Sequence, residues 1–303
     1  MAKSWKTLKA DVAEETLNAI LARATADGLM PWDSPVLGQI GTGPENATTA
    51  AAYAGFNWVW LAMHGQRYWA GAKQWATVGA TVKEGAKGVA ILIPKMVTRE
   101  RDGEKRPILI GFRSGRVFSA DMVTGWTPPA VVVNPGALTP NEAADAIVAA
   151  MPNRPTIDHV TVDCGSYVPA LDVVRMPARE RFKSAARYYK TLAHELAHAT
   201  GHASRLDRKA GMASVSGVHA YSREELVAEF AAAMLMARCG MHVETADNSA
   251  AYVAHWAKYL GENPVVIFEA ATDAQKSVNY ILGKGKATAK TPAAEETVEA
   301  EVA

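Results

Sequence analysis

KSAARYYKTLAHELAHATG, residues 183–201, carries its apolar residues at helical spacing and places HELAH at 194–198. Residues four apart on a helix share a face, so His194 and His198 can both aim an imidazole at one ion. Glu195 sits about 100° round from His194, near enough to hold a water on that ion. This is the H-E-x-x-H arrangement, in which two histidines bind zinc and the glutamate, here Glu195, is the general base. The chemistry demands these residue types. Neutral imidazoles bind Zn²⁺ at about 2.0–2.1 Å, the pKa of the bound water falls toward about 7, and a carboxylate takes the proton as hydroxide attacks a carbonyl. Gly201 closes the helix three residues after His198.

A catalytic zinc wants three protein ligands. The metzincin pattern would put a third histidine six residues beyond the second, and that position is Ser204, so this subclass is excluded. The next candidate is the helical run REELVAEFAAAMLMARC (223–239). Glu225 and Glu229 are four apart and the opposite side is Ala, Leu and Met. Two carboxylates on the inner side of such a helix are costly to bury unless paired or metal-bound. Glu225 is assigned as third ligand and Glu229 as the outer partner of a ligand histidine, with the reverse left open. A set of two nitrogens and an oxygen suits zinc and does not exclude manganese, cobalt or nickel. His202, after Gly201, is a substrate-contacting or capping residue. Tyr221 and His219 precede the glutamate helix and are candidates for steadying an oxyanion. Cys164 and Cys239 form no C-x-x-C pair and read as small core residues.

Around this motif the chain has 303 residues, 49% apolar and 21% charged, which is globular composition and points to about two domains. With 32 Lys and Arg against 31 Asp and Glu, the net charge of +1 excludes binding nucleic acid by bulk charge, though not by a local basic face. Two cysteines exclude a disulfide framework and fit a reducing cytoplasm. The first residues, MAKSWKTLKADVAEE, lack the apolar core of a secretory leader, and no 18-residue apolar run offers a membrane span. TPPAVVVNPGALTP (127–140), with four prolines and no charge, reads as a linker. It divides a first domain, 1–126, from a second, 141–282, and 283–303 reads as a disordered tail. The fold class is α+β. The first domain is mixed. Helical patterns run over Thr7–Asp27 and Thr48–Met63, followed by a hairpin of VAILIPKMV (89–97) and PILIGF (107–112). The second domain is mostly helical, with patterns over Lys183–Thr200, Arg223–Arg238, Ser249–Leu260 and Pro264–Leu282, and strand-like runs at His159–Val162 and Leu171–Val174.

Charge gathers in the first domain: residues 66–126 hold 11 Lys and Arg against 5 Asp and Glu. Five of the eight tryptophans, Trp32, Trp58, Trp60, Trp69 and Trp75, fall between 32 and 75. Aromatics beside a basic hairpin suit stacking on unpaired bases while cations track phosphates. The candidates are Trp32 and Trp75 with Lys73, Lys83, Lys87, Arg113 and Arg116; Lys95, Arg99, Arg101 and Arg106 add charge. The same aromatics at helical spacing also fit a packed core, and no RNP, KH or Cys/His signature accompanies them.

Over nearly its full length to about residue 282 the chain resembles the ArdC-type antirestriction proteins of conjugative plasmids. The strings that carry this are YAGFNWVWLA (53–62), WATVGATVKEGAKGVAILIPK (75–95), GRVFSADMVTGW (115–126), RFKSAARYYKTLAHELAHATGHASRLDR (181–208) and AYSREELVAEFAAAML (220–235). The resemblance implies a single-stranded-DNA-binding first domain, of the kind that also precedes some plasmid primases, and a zincin-like metallopeptidase domain. It implies ligands at His194, His198 and a glutamate of EELVAE, with Glu195 as base. Residues 198–225 also resemble peptidases of the ImmA/IrrE type, where the third ligand opens an E-x-x-A-N-like run, which favours Glu225; Glu229 stands where that run has Asn. The expected role is to shield transferred single-stranded plasmid DNA from host restriction, with a host restriction component as possible peptidase substrate. Two other readings are a non-catalytic protein that occludes DNA or the restriction enzyme, its metal only structural, and a primase accessory module.

Overall fold

A computed structural model describes residues 5–27, 30, 32, 43–101, 104–129, 138–208, 218–241 and 250–284. The tail reading at 283–303, apart from Gly283 and Lys284, and most of the 127–140 stretch therefore lie outside the described residues. The architecture is α+β, as the patterning predicts.

The N-terminal half starts with helix α1 (Trp5–Asp27) and builds a four-stranded sheet in the order β1-β2-β5-β4. Its strands are β1 (Glu45–Asn46), β2 (Tyr68–Ala70), β4 (Val89–Arg101) and β5 (Glu104–Ser119), and β3 (Thr81–Val82) pairs separately with β6 (Val123–Thr124). Strands β4 and β5 form a hairpin much longer than the two six-to-nine-residue runs the alternation picks out. Helix α2 (Gly55–Ala62) lies along the outer edge of β4. Asn57 gives its Nδ2 to the Leu92 carbonyl and takes the Leu92 N–H on its Oδ1, at 2.8 and 2.9 Å, so one side chain stands in for a neighbouring strand. Trp60 Nε1 donates to Ala90 O at 3.0 Å just below. Such pairing satisfies an edge that would otherwise recruit another chain. Helix α3 (Ala72–Thr77) inserts Trp75, whose Nε1 reaches Phe118 O at 2.9 Å.

The C-terminal half opens with α4 (Pro140–Ala150). Thr139 and Glu142 form a capping box and proline takes the first helical position, so the helix begins inside the proline-rich stretch. A three-stranded sheet follows in the order β7-β9-β8: β7 (Thr156–His159) parallel to β9 (Val173–Met176), and β8 (Ser166–Val168) antiparallel to it on the edge. Both longer strands are offset from the runs the sequence marks, and the three-residue β8 is too short to show a period. Helix α5 (Ala185–Ala199) carries HELAH. It packs on α6 (Val218–Arg238) and α8 (Val266–Ile281), with α7 (Ala250–Glu262) between them in sequence. Helix α6 is buried nearly all round from Leu226 to Ala237, so each polar group on it needs a partner.

The two halves share one hydrophobic core running from Val12 to Ile281. Trp32 sets its ring edge-on to Phe230 and Trp256 at 5.3 and 5.5 Å, Phe56 meets Phe268 at 4.4 Å, and Gly55 N–H reaches Gln275 Oε1 at 3.1 Å. Burial of each such large apolar side chain contributes about 1.5–3 kcal/mol. No helix among the described residues is long and apolar enough to cross a membrane.

Candidate metal centre

His194 and His198 project from the same face of α5, their Nε2 atoms 3.1 Å apart. Opposite them α6 presents Glu225, one carboxylate oxygen 3.4 Å from His194 Nε2 and the other 3.4 Å from His198 Nε2. One donor atom from each of the three residues lies within 4.8 Å of the others. A tetrahedral ion with bonds near 2.0–2.1 Å separates its ligand atoms by about 3.3 Å, so this donor set fits a single divalent ion. Glu229, one turn further along α6, has Oε1 3.8 Å from His194 Nδ1, on the far side of that imidazole. Of the two arrangements the sequence leaves open, the geometry favours Glu225 inside and Glu229 behind.

Glu224 is the residue the sequence reading missed. Its carboxylate is buried and stands 3.7 Å from His198 Nδ1, doing for His198 what Glu229 does for His194. It is held by Arg208, whose Nη2 and Nε reach its two oxygens at 2.5 and 3.3 Å. The rest of that guanidinium binds Thr200 Oγ1, Ser277 Oγ and the Ala197 carbonyl at 2.7, 2.9 and 2.9 Å. Arg205 Nε donates to Ala199 O at 2.6 Å, so two arginines serve buried carbonyls in the last turn of α5, where positive charge is favourable.

Glu195 is buried, and its Oε2 accepts the Tyr167 N–H of β8 at 2.7 Å. Strand β8 approaches this closely because residue 165 is glycine: a Cβ there would lie 2.6 Å from Thr191 Cγ2 and 3.4 Å from Glu195 Cγ. The strand is pinned from its far side by the Tyr167 hydroxyl, which donates to Asp172 Oδ1 at 2.6 Å, and by Arg205, which pairs with Asp172 and reaches the same hydroxyl at 3.1 Å.

The electrostatics follow from this packing. Burial opposes protonation of His198, but the carboxylates of Glu224 and Glu225 outweigh it and push its pKa from 6.5 up to about 10. Burial would likewise raise Glu225, yet the two imidazoles hold its carboxyl well below the usual carboxylate range. Metal-free protein is thus expected to carry a proton on His198 at neutral pH and to release about one proton per ion taken up. Calorimetry in buffers of different ionisation enthalpy reads this directly, and uptake at pH 7.5 without proton release would contradict it. The stabilisation from charged His198 is complete below pH 6.5 and is lost as pH rises through about 10. The melting temperature of the metal-free protein should therefore decline across that window.

His202 is half-buried and bonds Ser204 Oγ through Nδ1 at 2.8 Å, closing the turn after α5. His219 and Tyr221 lie within α6, which begins at Val218, and not ahead of it; their side chains lie outside the described residues. Cys239 is buried as expected, whereas Cys164 is exposed on the loop before β8, which corrects its reading as core.

The proposed base-stacking tryptophans also need correction. Trp32 and Trp75 are 3% and 0% exposed, enclosed by Phe230 and Trp256 in one case and by Trp126 and the Phe118 carbonyl in the other. Neither ring has a face to offer a base. Lys73, Lys83, Lys87 and Arg113 are exposed, with Lys83 Nζ on the Asp121 carbonyl at 2.7 Å. Arg116 is exposed as well, with its guanidinium on Gly88 O at 2.5 Å and 3.6 Å from Glu15.

Residues 142–273 match the family of zincin-like metallopeptidases, the class that the paired histidines and opposed glutamate define. Residues 10–118 match the N-terminal domain of anti-restriction factor ArdC. In the crystal structures of antirestriction protein ArdC from plasmid R388, metal-free and Mn(II)-bound, the fold superposes on this chain with a TM-score of 0.67. Identity is 32% and 33%, over 89% of this chain and 96% of the other. The chain belongs to the ArdC-type antirestriction family. Two DNA primases named TraC from Escherichia coli are 34% and 33% identical over 90% and 93% of this chain, but it spans only 20% and 28% of their length.

Proposed function

We propose that this protein binds a divalent ion through His194, His198 and Glu225, cleaves a peptide bond with Glu195 as general base, and acts on behalf of incoming single-stranded plasmid DNA held by its N-terminal half. The observation that carries the reading is the convergence of both Nε2 atoms on the Glu225 carboxylate, with the Glu195 carboxylate fixed on the same helix by the Tyr167 N–H. A bound divalent ion supplies Lewis acidity toward a scissile carbonyl and a water of lowered pKa. Glu195 takes a proton and later returns it to the leaving amine, and the Tyr167 N–H orients it for both transfers. Glu224 and Glu229 orient the two imidazoles from behind. Zinc suits the donor set, and the Mn(II)-bound relative makes manganese the first alternative. The protein works in the cytoplasm of the recipient cell, with a component of the host restriction machinery as peptidase substrate.

Conjugation into restricting and non-restricting recipients tests this. Glu195→Gln should keep the metal, lower peptide hydrolysis by about 10²–10⁴-fold and abolish the advantage in the restricting host. Undiminished protection by that variant would leave a protein that works by occlusion, with a metal that only holds the fold.

A further inference from the structure

The β4–β5 hairpin extends beyond the sheet. Strand β2 pairs with β5 only at Phe118 and Ser119, Asn57 closes the β4 edge at Leu92, and Ile93 and Phe112 still pack against the core; from the Lys95–Gly111 rung outward the two strands form a ribbon with no further strand beside it among the described residues. Side chains alternate between its faces, and the ladder fixes which residues share one. At the base Lys95 pairs with Gly111, but the next rung is Met96 with Leu109, so Ile110 is an extra, bulged residue, 56% exposed. Continued without the bulge, the register would set Arg106 opposite Glu100. With it, Arg106 lies opposite Arg99. A bulge re-aims every side chain beyond it. Here it brings Arg106 onto the face that already holds the exposed cations Lys95, Arg99 and Arg113, with the Arg101–Glu104 rung on that face at the tip, and leaves the Glu100–Lys105 rung on the other, with Met96 and Leu109. Like charges directly opposed destabilise a ladder, while an anion lying across them is stabilised by both.

We infer that this basic face of the ribbon is the element that grips the phosphate backbone of single-stranded DNA. This rests on the DNA-binding reading above and gives it a site. From the Arg113 rung to the Arg99–Arg106 rung is six residues of β4, about 20 Å at roughly 3.4 Å per residue. A straight row of cations of that length follows one extended strand, whereas duplex phosphates wind away from it. The face bears no aromatic side chain and Val97 and Ile108 lie between the cations, so contact is with phosphate and sugar, indifferent to sequence.

The test is binding of a fluorescein-labelled thymidine oligonucleotide by the full chain across a salt series. Arg99→Gln with Arg106→Gln should weaken binding at low salt by at least about tenfold and make the salt slope shallower by about 1.4, since each phosphate contact on a single strand adds roughly 0.7. Lys258→Gln with Lys284→Gln makes the same charge change elsewhere and should leave binding unchanged. Deletion of Ile110 keeps the charge but turns Arg106 to the other face, and should weaken binding as well. Unaltered affinity and slope in the double arginine variant, or an equal loss in the Lys258 and Lys284 control, overturns the ribbon while the DNA-binding reading stands. Equal competition by duplex overturns the choice of a single strand. Failure of the unaltered chain to bind any oligonucleotide overturns both the ribbon and that reading. Melting curves of each variant separate lost contacts from lost fold.

Discussion

Arg208→Met is expected to destabilise the fold by about 3–5 kcal/mol, a fall in melting temperature on the order of 10 °C. Arg208 and Glu224 are a buried pair, their side chains 8% and 4% exposed. Removing the guanidinium leaves a carboxylate with water excluded on every side and its main counter-charge gone. It also strips partners from Thr200, Ser277 and the Ala197 carbonyl, which tie α5 to α8. The loss should be context-bound: Arg208→Met with Glu224→Leu removes the orphaned charge too and should regain much of the stability, because a buried pair replaced as a whole by apolar groups is often neutral. Metal affinity should stay reduced in that double variant, since Glu224 also stands behind His198. Thermal melts of the single and double variants check this. A single-variant change within about 0.5 kcal/mol, typical of a surface site, would contradict the buried pair.

Glu225→Gln and Glu229→Gln should separate by far more than their chemistry differs. Both change one carboxylate oxygen to an amide on the same face of α6. Glu225 faces both Nε2 atoms at 3.4 Å, whereas Glu229 stands at 3.8 Å from the Nδ1 of His194 alone. Loss of an outer partner weakens metal binding by about 10–100-fold. Glu229→Gln should fall in that range, and Glu225→Gln should exceed it and leave the protein without stoichiometric metal after dialysis. Competition with a chromophoric chelator reads both. The opposite order would exchange the two roles.

What could be read from the sequence follows from the range of each interaction. HELAH is local: helical periodicity alone brings His194 and His198 together. Glu225 was reachable one step further, because a carboxylate on an apolar helix needs a reason to be there. Glu224 was not, because it sits between Arg223 and Glu225 in a run that reads as an ordinary charged helix start, and the partner that explains it, Arg208, belongs to another segment. The trace it left was three glutamates within two turns of α6 where the ion and one imidazole account for only two. The Tyr167 N–H could not be read at all, since a backbone donor has no residue signature and β8 is three residues long. For the tryptophans, stacking on bases and filling a core call for the same residues, and only burial distinguishes them: Trp32 went to the core against Phe230 and Trp256, residues far from it in the sequence. The hairpin was visible as alternation, but the bulge at Ile110 that sorts its charges was not, because one extra residue leaves the apolar pattern unbroken on either side.

The central claim is that two imidazoles of α5 and a carboxylate of α6 surround one ion, and X-ray absorption at the zinc edge of protein loaded with a single equivalent tests it most directly. The expected spectrum has a shell of nitrogen and oxygen near 2.0–2.1 Å with the outer scattering of two imidazole rings. Sulfur at about 2.3 Å, or scattering from one imidazole or from three, would show that the ion sits in some other set of ligands.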